Sequence, residues 1–319
     1  MKAFYIALLA IASLTGAPAV PAAYPDRPVR LIVPYAAGGS TDTVARLVGA
    51  RLSERLGQQF VADNRTGGGT IIGTEIAARA APDGYTLLMA TPPLVVNPSL
   101  RKVPYDLARD FAAVTNVAAS SNLLVVHPSV PAANTRELIA LLKAGPGKYN
   151  YGSSGVGGAS HLAMALFLHM AGVDAVHVPY KGGAPAVTDL VAGRLSLAMA
   201  NLTTAQPHIR ANRLRGLGIG TRARSSLFPE MPTIAEAGVP GYEANNWNGI
   251  VAPTGTPRAV VNLLQKTIAE VLKEPTVADR MAKAALDPIG DTSAEFARYL
   301  KAEADKWGKL VKSAGIKAE

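Results

Sequence analysis

The chain has 319 residues, a formal charge of +9, 6% aromatic residues and no cysteine. That length accommodates two domains, each with its own core, and the absence of cysteine excludes disulfides, thiolate nucleophiles and thiolate metal sites. The basic residues are scattered: Arg46, Arg51, Arg55 and Arg79 punctuate helical stretches with no run of four, and aromatics are too few for base-stacking platforms. The charge therefore reads as solvated helix faces, and nucleic-acid binding is excluded.

Residues 1–23 start with Met1-Lys2-Ala3, continue through an apolar run from Phe4 to Leu14 and end in small residues, Thr15-Gly16-Ala17-Pro18-Ala19. This is the order of a secretory signal peptide, cut between Ala19 and Ala23, and the apolar run is too short to span a bilayer. With no cysteine for lipid attachment, the mature chain is expected free in an exported compartment.

Val29–Val33 then reads as a buried strand, and Thr41–Leu56 as a helix with Val44, Leu47, Val48 and Leu52 on one face. Gln59–Ala62 reads as a second strand, Asp63–Gly69 as a turn, Thr70–Ala80 as a helix with Thr70 at its N-cap, and Thr86–Ala90 as a third strand. This alternation predicts a parallel sheet covered on both faces. Two β-rich runs between Phe111 and Val126 flank Ala118–Ser121, and a second α/β series begins at Leu123. Its helices fall at Thr135–Lys143, Ala159–Ala171, Ala184–Ala192 and Thr203–Ala211, its strands at Tyr149–Tyr151, Ala175–Val178, Leu195–Ala200 and Leu214–Ile219. Beyond the loop-rich Pro229–Pro240, Trp247–Ala252 reads as a strand, and Pro257–Lys273, Thr276–Ala285 and Ser293–Ala314 as helices. One strand and three helices make a poor domain alone but complete the first one. The predicted organisation is α/β, with residues 24–122 and 247–319 forming one domain, residues 123–246 the other, and a cleft between them.

Four turns share one design, a strand end followed by small residues and a helix start: Ala37–Asp42, Gly67–Thr70, Ser153–Ser160 and Lys181–Ala184. Such turns gather beyond the carboxyl ends of parallel strands, where unpaired N–H groups and small hydroxyls favour an anion. Two or three charge-assisted bonds of roughly 1.5–3 kcal/mol each hold a carboxylate without an arginine.

Catalytic and cofactor patterns are incomplete. Gly152-Ser153-Ser154-Gly155-Val156 lacks the last glycine of a nucleophile elbow, and Gly155-Val156-Gly157-Gly158-Ala159-Ser160 lacks the third glycine of a dinucleotide fingerprint. His161 and His169 are eight residues apart, too far for an i, i+4 metal clamp, and His127 and His177 read as structural groups at strand ends. No catalytic residue, metal site or cofactor is expected. The competing enzyme reading is an exported serine hydrolase using Ser154 and His161.

The chain resembles the Bug proteins, exported solute receptors linked to tripartite tricarboxylate transporters. The resemblance is carried by Tyr24-Pro25-Asp26-Arg27-Pro28 running on to Pro34, by Gly38-Gly39-Ser40-Thr41-Asp42, and by Pro104-Tyr105-Asp106 with Asp110-Phe111. It continues in Val178-Pro179-Tyr180-Lys181-Gly182, Pro207-His208-Ile209 and Ala252-Pro253-Thr254-Gly255-Thr256-Pro257, through nearly the whole mature chain. It implies a two-lobed periplasmic binding protein, a Venus flytrap that closes over a small carboxylated solute held largely by main-chain groups. Carried onto this sequence, Gly38, Gly39, Ser40 and Thr41 meet one carboxylate, with Tyr35 and Ala36 lining the wall. Ser153, Ser154, Gly155 and Gly157, with His161, face them from the other lobe, and Tyr180, Gly182, Gly183, Ala184 and the loop beginning at Thr91 complete the pocket. Trp247 is a candidate hinge or pocket-wall residue, with plain core the competing reading. Many relatives carry an acid just before the Asn-Leu pair after the Leu195 strand; Ala200 stands there, which turns the expectation from amino acids towards dicarboxylates or aromatic carboxylates. The implied partners are transporter membrane subunits, or a membrane sensor, and the receptor is expected to be a monomer.

Overall fold

A computed structural model describes residues 24–225 and 228–314. The predicted signal segment, residues 1–23, lies outside the described residues.

The chain runs β1 (Val29–Val33), α1 (Ser40–Leu56), β2 (Phe60–Asn64), a 3-10 turn (Gly68–Thr70), α2 (Ile71–Ala78), β3 (Thr86–Ala90), α3 (Pro92–Leu100), α4 (Leu107–Asp110) and β4 (Phe111–Val126). The second half of the cleft follows as α5 (Thr135–Ala144), β5 (Asn150–Ser153), α6 (Ala159–Ala171), β6 (Val176–Pro179), α7 (Gly183–Val191), β7 (Leu197–Asn201), α8 (Leu202–Arg210) and β8 (Arg215–Ile219). The chain ends with β9 (Asn245–Pro253), α9 (Arg258–Leu272), α10 (Pro275–Lys283), β10 (Leu286–Pro288) and α11 (Ser293–Ala314).

α1 forms where the apolar spacing demands a helix: Val44, Ala45, Val48 and Leu52 are buried against β1. It stops at Gly57, whose φ of 72° gives the left-handed cap that returns its N–H to Ser53 O. The strands join in one curled sheet, ordered β2-β1-β3-β9-β4-β7-β5-β6, with β8 and β10 also on β4. β4 belongs to both lobes. Phe111 to Ser121 pair with β9, and Asn122 to Val126 pair with β7 and, apart from Asn122, with β8.

The fold is the expected two-lobed α/β class, with four local corrections. β1, β2 and β3 are parallel, but β9 runs antiparallel to β3 and to β4, because the returning tail enters the sheet from the opposite end. The two runs between Phe111 and Val126 are one 16-residue strand, since small Ala118, Ala119, Ser120 and Ser121 pair as well as their apolar neighbours. Thr91 precedes a helix rather than a loop: Pro92 and Pro93 occupy the first turn, where no N–H is needed. Thr70 precedes α2 but does not cap it; at φ 84° its side chain makes no capping bond and its buried Oγ1 has no partner.

One hydrophobic cluster continues through both lobes, from Trp307 and Phe296 through Trp247 to Tyr242 and Phe167. Trp247 is core, 1% exposed and edge-on to Phe296 and Tyr299 with ring centroids 5.8 and 5.7 Å away. It does not line the cleft cavity described next.

Candidate functional site

The helices α1, α6, α7 and α8 all begin at the cleft, following β1, β5, β6 and β7. Between them lies a cavity with about 550 Å³ of open space, its mouth included. Gly39, Ser40 and Thr41 come from α1, Ser154, Ala159 and Ser160 from the turn before α6 and its start, Gly183 from α7, and Asn201 and Thr204 from the start of α8. Ala186, Val187, Ala198, Met199 and Ala200 form an apolar wall, and Asn246 enters from β9. Among the described residues no Lys, Arg, His, Asp or Glu lines the cavity.

The electrostatics come instead from the backbone. The first N–H bonded within α1 is that of Thr43, to Gly39 O at 2.9 Å, so the amides of Ser40 and Thr41 precede the hydrogen-bonded ladder. The ladder of α6 likewise starts at Leu162, which bonds Gly158 O at 3.0 Å, leaving the amide of Ser160 ahead of it. Each helix start carries partial positive charge, and several aimed at one uncharged space favour an anion.

The lobes touch around this cavity. Ala36 N donates to Lys181 O at 3.0 Å, and Asn201 Nδ2 donates to Ser40 Oγ at 3.1 Å. Asn246 Nδ2 donates to Ser120 Oγ at 3.1 Å and to Asn201 Oδ1 at 3.2 Å, tying β9, β4 and β7 together at the cleft floor. Gly69 packs so closely on the other lobe that an added Cβ would sit 1.7 Å from Val156 O.

Each facing turn is braced from behind. Buried Asp42 accepts Gly38 N at 3.0 Å, Arg46 Nε at 2.9 Å and Asn64 Nδ2 at 3.0 Å. Burial alone would raise its pKa; the hydrogen bonds from Arg46, Gly38 and Asn64 outweigh it and hold the carboxyl below its usual range. On the other side His161 Nδ1 accepts Gly157 N at 3.1 Å, while Ser153 Oγ accepts Gly155 N at 3.1 Å and is hydrogen-bonded to His177 Nε2 at 2.6 Å. The two imidazoles stack 4.3 Å apart, and His177 stacks in turn on Tyr151 at 4.8 Å. Burial, with His177 and Arg101 nearby, pushes His161 down to about 4.

Of the sixteen predicted residues, Tyr35, Gly39, Ser40, Thr41, Ser154 and Gly183 line the cavity. The others serve the frame. Gly38 gives its N–H to Asp42, Ala36 and Gly182 meet across the cleft, and Ala184 packs against Gly38. Thr91 Oγ1 lies 3.5 Å from the Tyr35 hydroxyl, and burial raises the pKa of that phenol. Ser153, Gly155, Gly157 and His161 form the bracing just described. The Tyr180 hydroxyl turns away to Asp189 Oδ2, 2.7 Å distant. Asn201, Thr204, Asn246 and the apolar wall escaped the sequence reading. Asn201 had a usable signal, since it too joins a strand end to a helix start, but without glycine.

The hydrolase pairing does not form. Ser154 Oγ accepts from Ser160 Oγ at 3.0 Å, His161 Nδ1 is occupied by Gly157, and the serine that does meet a histidine, Ser153, is fully buried. Among the described residues no group of three or more His, Asp or Glu is placed to hold a metal.

A closed cleft with an uncharged cavity between two α/β lobes defines a solute-binding protein of the periplasmic type. Residues 44–316 match the tripartite tricarboxylate transporter family receptor, and the chain belongs to that family, whose members are receptors and not enzymes. It is 36% identical to the protein BugT of Bordetella pertussis, over 92% of this chain and 91% of that one. A Rhodopseudomonas palustris protein solved with adipate is 40% identical, with a TM-score of 0.89 over 92% of this chain and 99% of its own. MatC from the same organism, solved with bound malate, is 29% identical, with a TM-score of 0.87 over 90% of this chain and all of its own. Membership in this family implies a periplasmic location.

Proposed function

We propose that this receptor captures a small dicarboxylate in the cavity between α1 and α6, holding it by backbone amides and hydroxyls rather than by a cationic side chain. The observation that carries the reading is the lining: several helix starts converge on a space with no charged side chain. One carboxylate lies against Ser40 and Thr41 on one side and Ser154 and Ser160 on the other. The carbon chain runs along Ala186, Val187 and Ala198, and the far end meets Asn201, Thr204 and Asn246. Dicarboxylates in two structural neighbours, adipate and malate, support this class. The lining has no acid to pair with an amine, and Ala200 forms part of its wall, so amino acids rank lower.

The ligand-loaded receptor serves a tripartite transporter membrane complex, as a monomer exported with residues 1–23 removed. Residues 24–122 with 247–319, and 123–246, move as the two closing units. A thermal-shift screen over dicarboxylates, tricarboxylates, aromatic acids and amino acids tests the reading: four- to six-carbon dicarboxylates raise Tm and are recovered unchanged. Absence of stabilisation by any carboxylate, or turnover of a hit, would overturn it. Pull-down from membranes with and without adipate separates transporter subunits from a sensor.

A further inference from the structure

Behind the Ser154–Val156 turn lies a second opening, about 770 Å³ with its mouth, framed by both lobes. Gly68, Gly69 and Arg101 line it from the first lobe, and Gly155, Tyr180 and Lys181 from the second. It shares Ser154 with the main cavity, but its chemistry is opposite. Two full positive charges border it, and no acid does.

Arg101 has no compensation. Its Nε and Nη2 are shielded from water and meet no hydrogen-bond acceptor, an arrangement that costs free energy unless an anion balances the charge. The neighbouring titratable groups do not supply one. His161 is pushed down to about 4 by burial, with His177 and Arg101 itself adding to the shift. Tyr105, also beside Arg101, is buried and its pKa is raised, so it stays a neutral phenol. The acids on the framing elements already have partners: Asp63 is paired with Arg30 and Arg65, and Asp189 with Arg194 and the Tyr180 hydroxyl. Lys181 is exposed beside the opening, and its backbone carbonyl is already engaged by Ala36 across the cleft.

We propose that Arg101 and Lys181, with the Gly67–Gly69 loop between them, form a second anion site that takes a small tetrahedral oxyanion such as sulfate or phosphate. Because Arg101 belongs to one lobe and Lys181 to the other, an anion between them is bound better when the lobes meet. By linkage it raises the affinity of the main cavity for its own ligand, and that ligand raises the affinity for the anion. The coupling rests on the dicarboxylate reading above; the anion site itself does not.

Sulfate titrations of the mature protein, with chloride at equal ionic strength as the control, test the site by thermal shift without any carboxylate. Sulfate is expected to raise Tm beyond chloride, and in calorimetry to tighten adipate binding by about threefold to tenfold. Both effects disappear in R101Q. K181Q, a change at an exposed side chain that leaves folding intact, weakens the sulfate response by about threefold or more. The proposal falls if sulfate matches chloride in the unaltered protein, or if K181Q and R101Q respond as it does. It also falls if sulfate competes with adipate, since the opening is then an extension of the main cavity. Failure of every dicarboxylate in the screen to bind, with the sulfate response intact, breaks the dicarboxylate reading and leaves the anion site standing.

Discussion

The two jaws of the cleft are alike in front and different behind. Each presents small residues at a helix start, Gly39 to Thr41 on one side and Ser154 with Ser160 on the other. The first is fixed by a charge, the Asp42 carboxylate gathering Gly38, Arg46 and Asn64. The second is fixed by two stacked imidazoles, His161 and His177, which hold Gly157 and Ser153. The two braces have different protonation ranges. Asp42 has a depressed pKa, so its contribution persists until pH falls below the ordinary carboxylate range. His161 must stay unprotonated at Nδ1 to accept Gly157 N, and its depressed pKa means that the unfolded chain takes up the proton first. Stability from that side is complete above about pH 6.5 and is lost progressively as pH falls towards 4. Mild acid therefore erodes the stability contributed by the His161 side and spares that of the Asp42 side.

Removing the charged brace has the largest expected effect. Asp42→Ala removes three hydrogen bonds to a buried carboxylate, from Gly38 N, Asn64 Nδ2 and the more exposed Arg46 Nε, which at roughly 1.5–3 kcal/mol for a bond to a charged group, discounted for exposure, amounts to about 4 kcal/mol in urea unfolding. Next is the acid response of the neutral brace. The unfolding free energy drops by on the order of 3 kcal/mol between pH 6.5 and 4, following 1.36 kcal/mol per pKa unit for His161. His161→Asn supplies an acceptor that does not titrate, and flattens that slope; an unchanged slope would assign the acid response elsewhere. The contact between jaws comes third. Gly69→Ala drives a methyl into Val156 O at a left-handed position, and affinity for the carboxylate identified by the thermal-shift screen, measured by calorimetry, falls about tenfold to a hundredfold. Ligand-free unfolding changes less, because the clash arises only where the lobes meet. Smallest is Asn201→Ala, which removes the bonds to Ser40 and Asn246 and weakens binding of that carboxylate about fivefold.

What the sequence revealed was local chemistry. The glycine turns were readable because a strand end, a small-residue turn and a helix start are all specified within a dozen residues, as at Val33 to Thr41. Ser293–Ala314 and Ala159–Ala171 were read to their ends for the same reason. What stayed hidden depends on partners far along the chain. Asn246 reaches the cavity because β9 returns between β3 and β4, and the stacking of His161 on His177 is set by the pairing of β5 with β6. Gly38 shows a different limit. Its N–H has the right position for a ligand, but Asp42 four residues on takes it. Composition misled at Pro92 and Pro93, where two prolines suggest a loop and in fact start α3.

β4 has a mechanical consequence. Its β9 partners end at Ser121 and its β7 partners start at Asn122, so the lobes are joined through the middle of a paired strand rather than through a slack loop. The Asn122 side chain reinforces the junction by donating to Ala244 O at 3.1 Å, and Gly220 N bonds Asn122 O at 2.7 Å. Bending at such a joint requires twisting a paired sheet, which is stiffer than swinging on a slack loop. A bulge or proline placed at the Ser121–Asn122 step would change the angle at this joint without touching either jaw, while the second crossing into β9 stays in place.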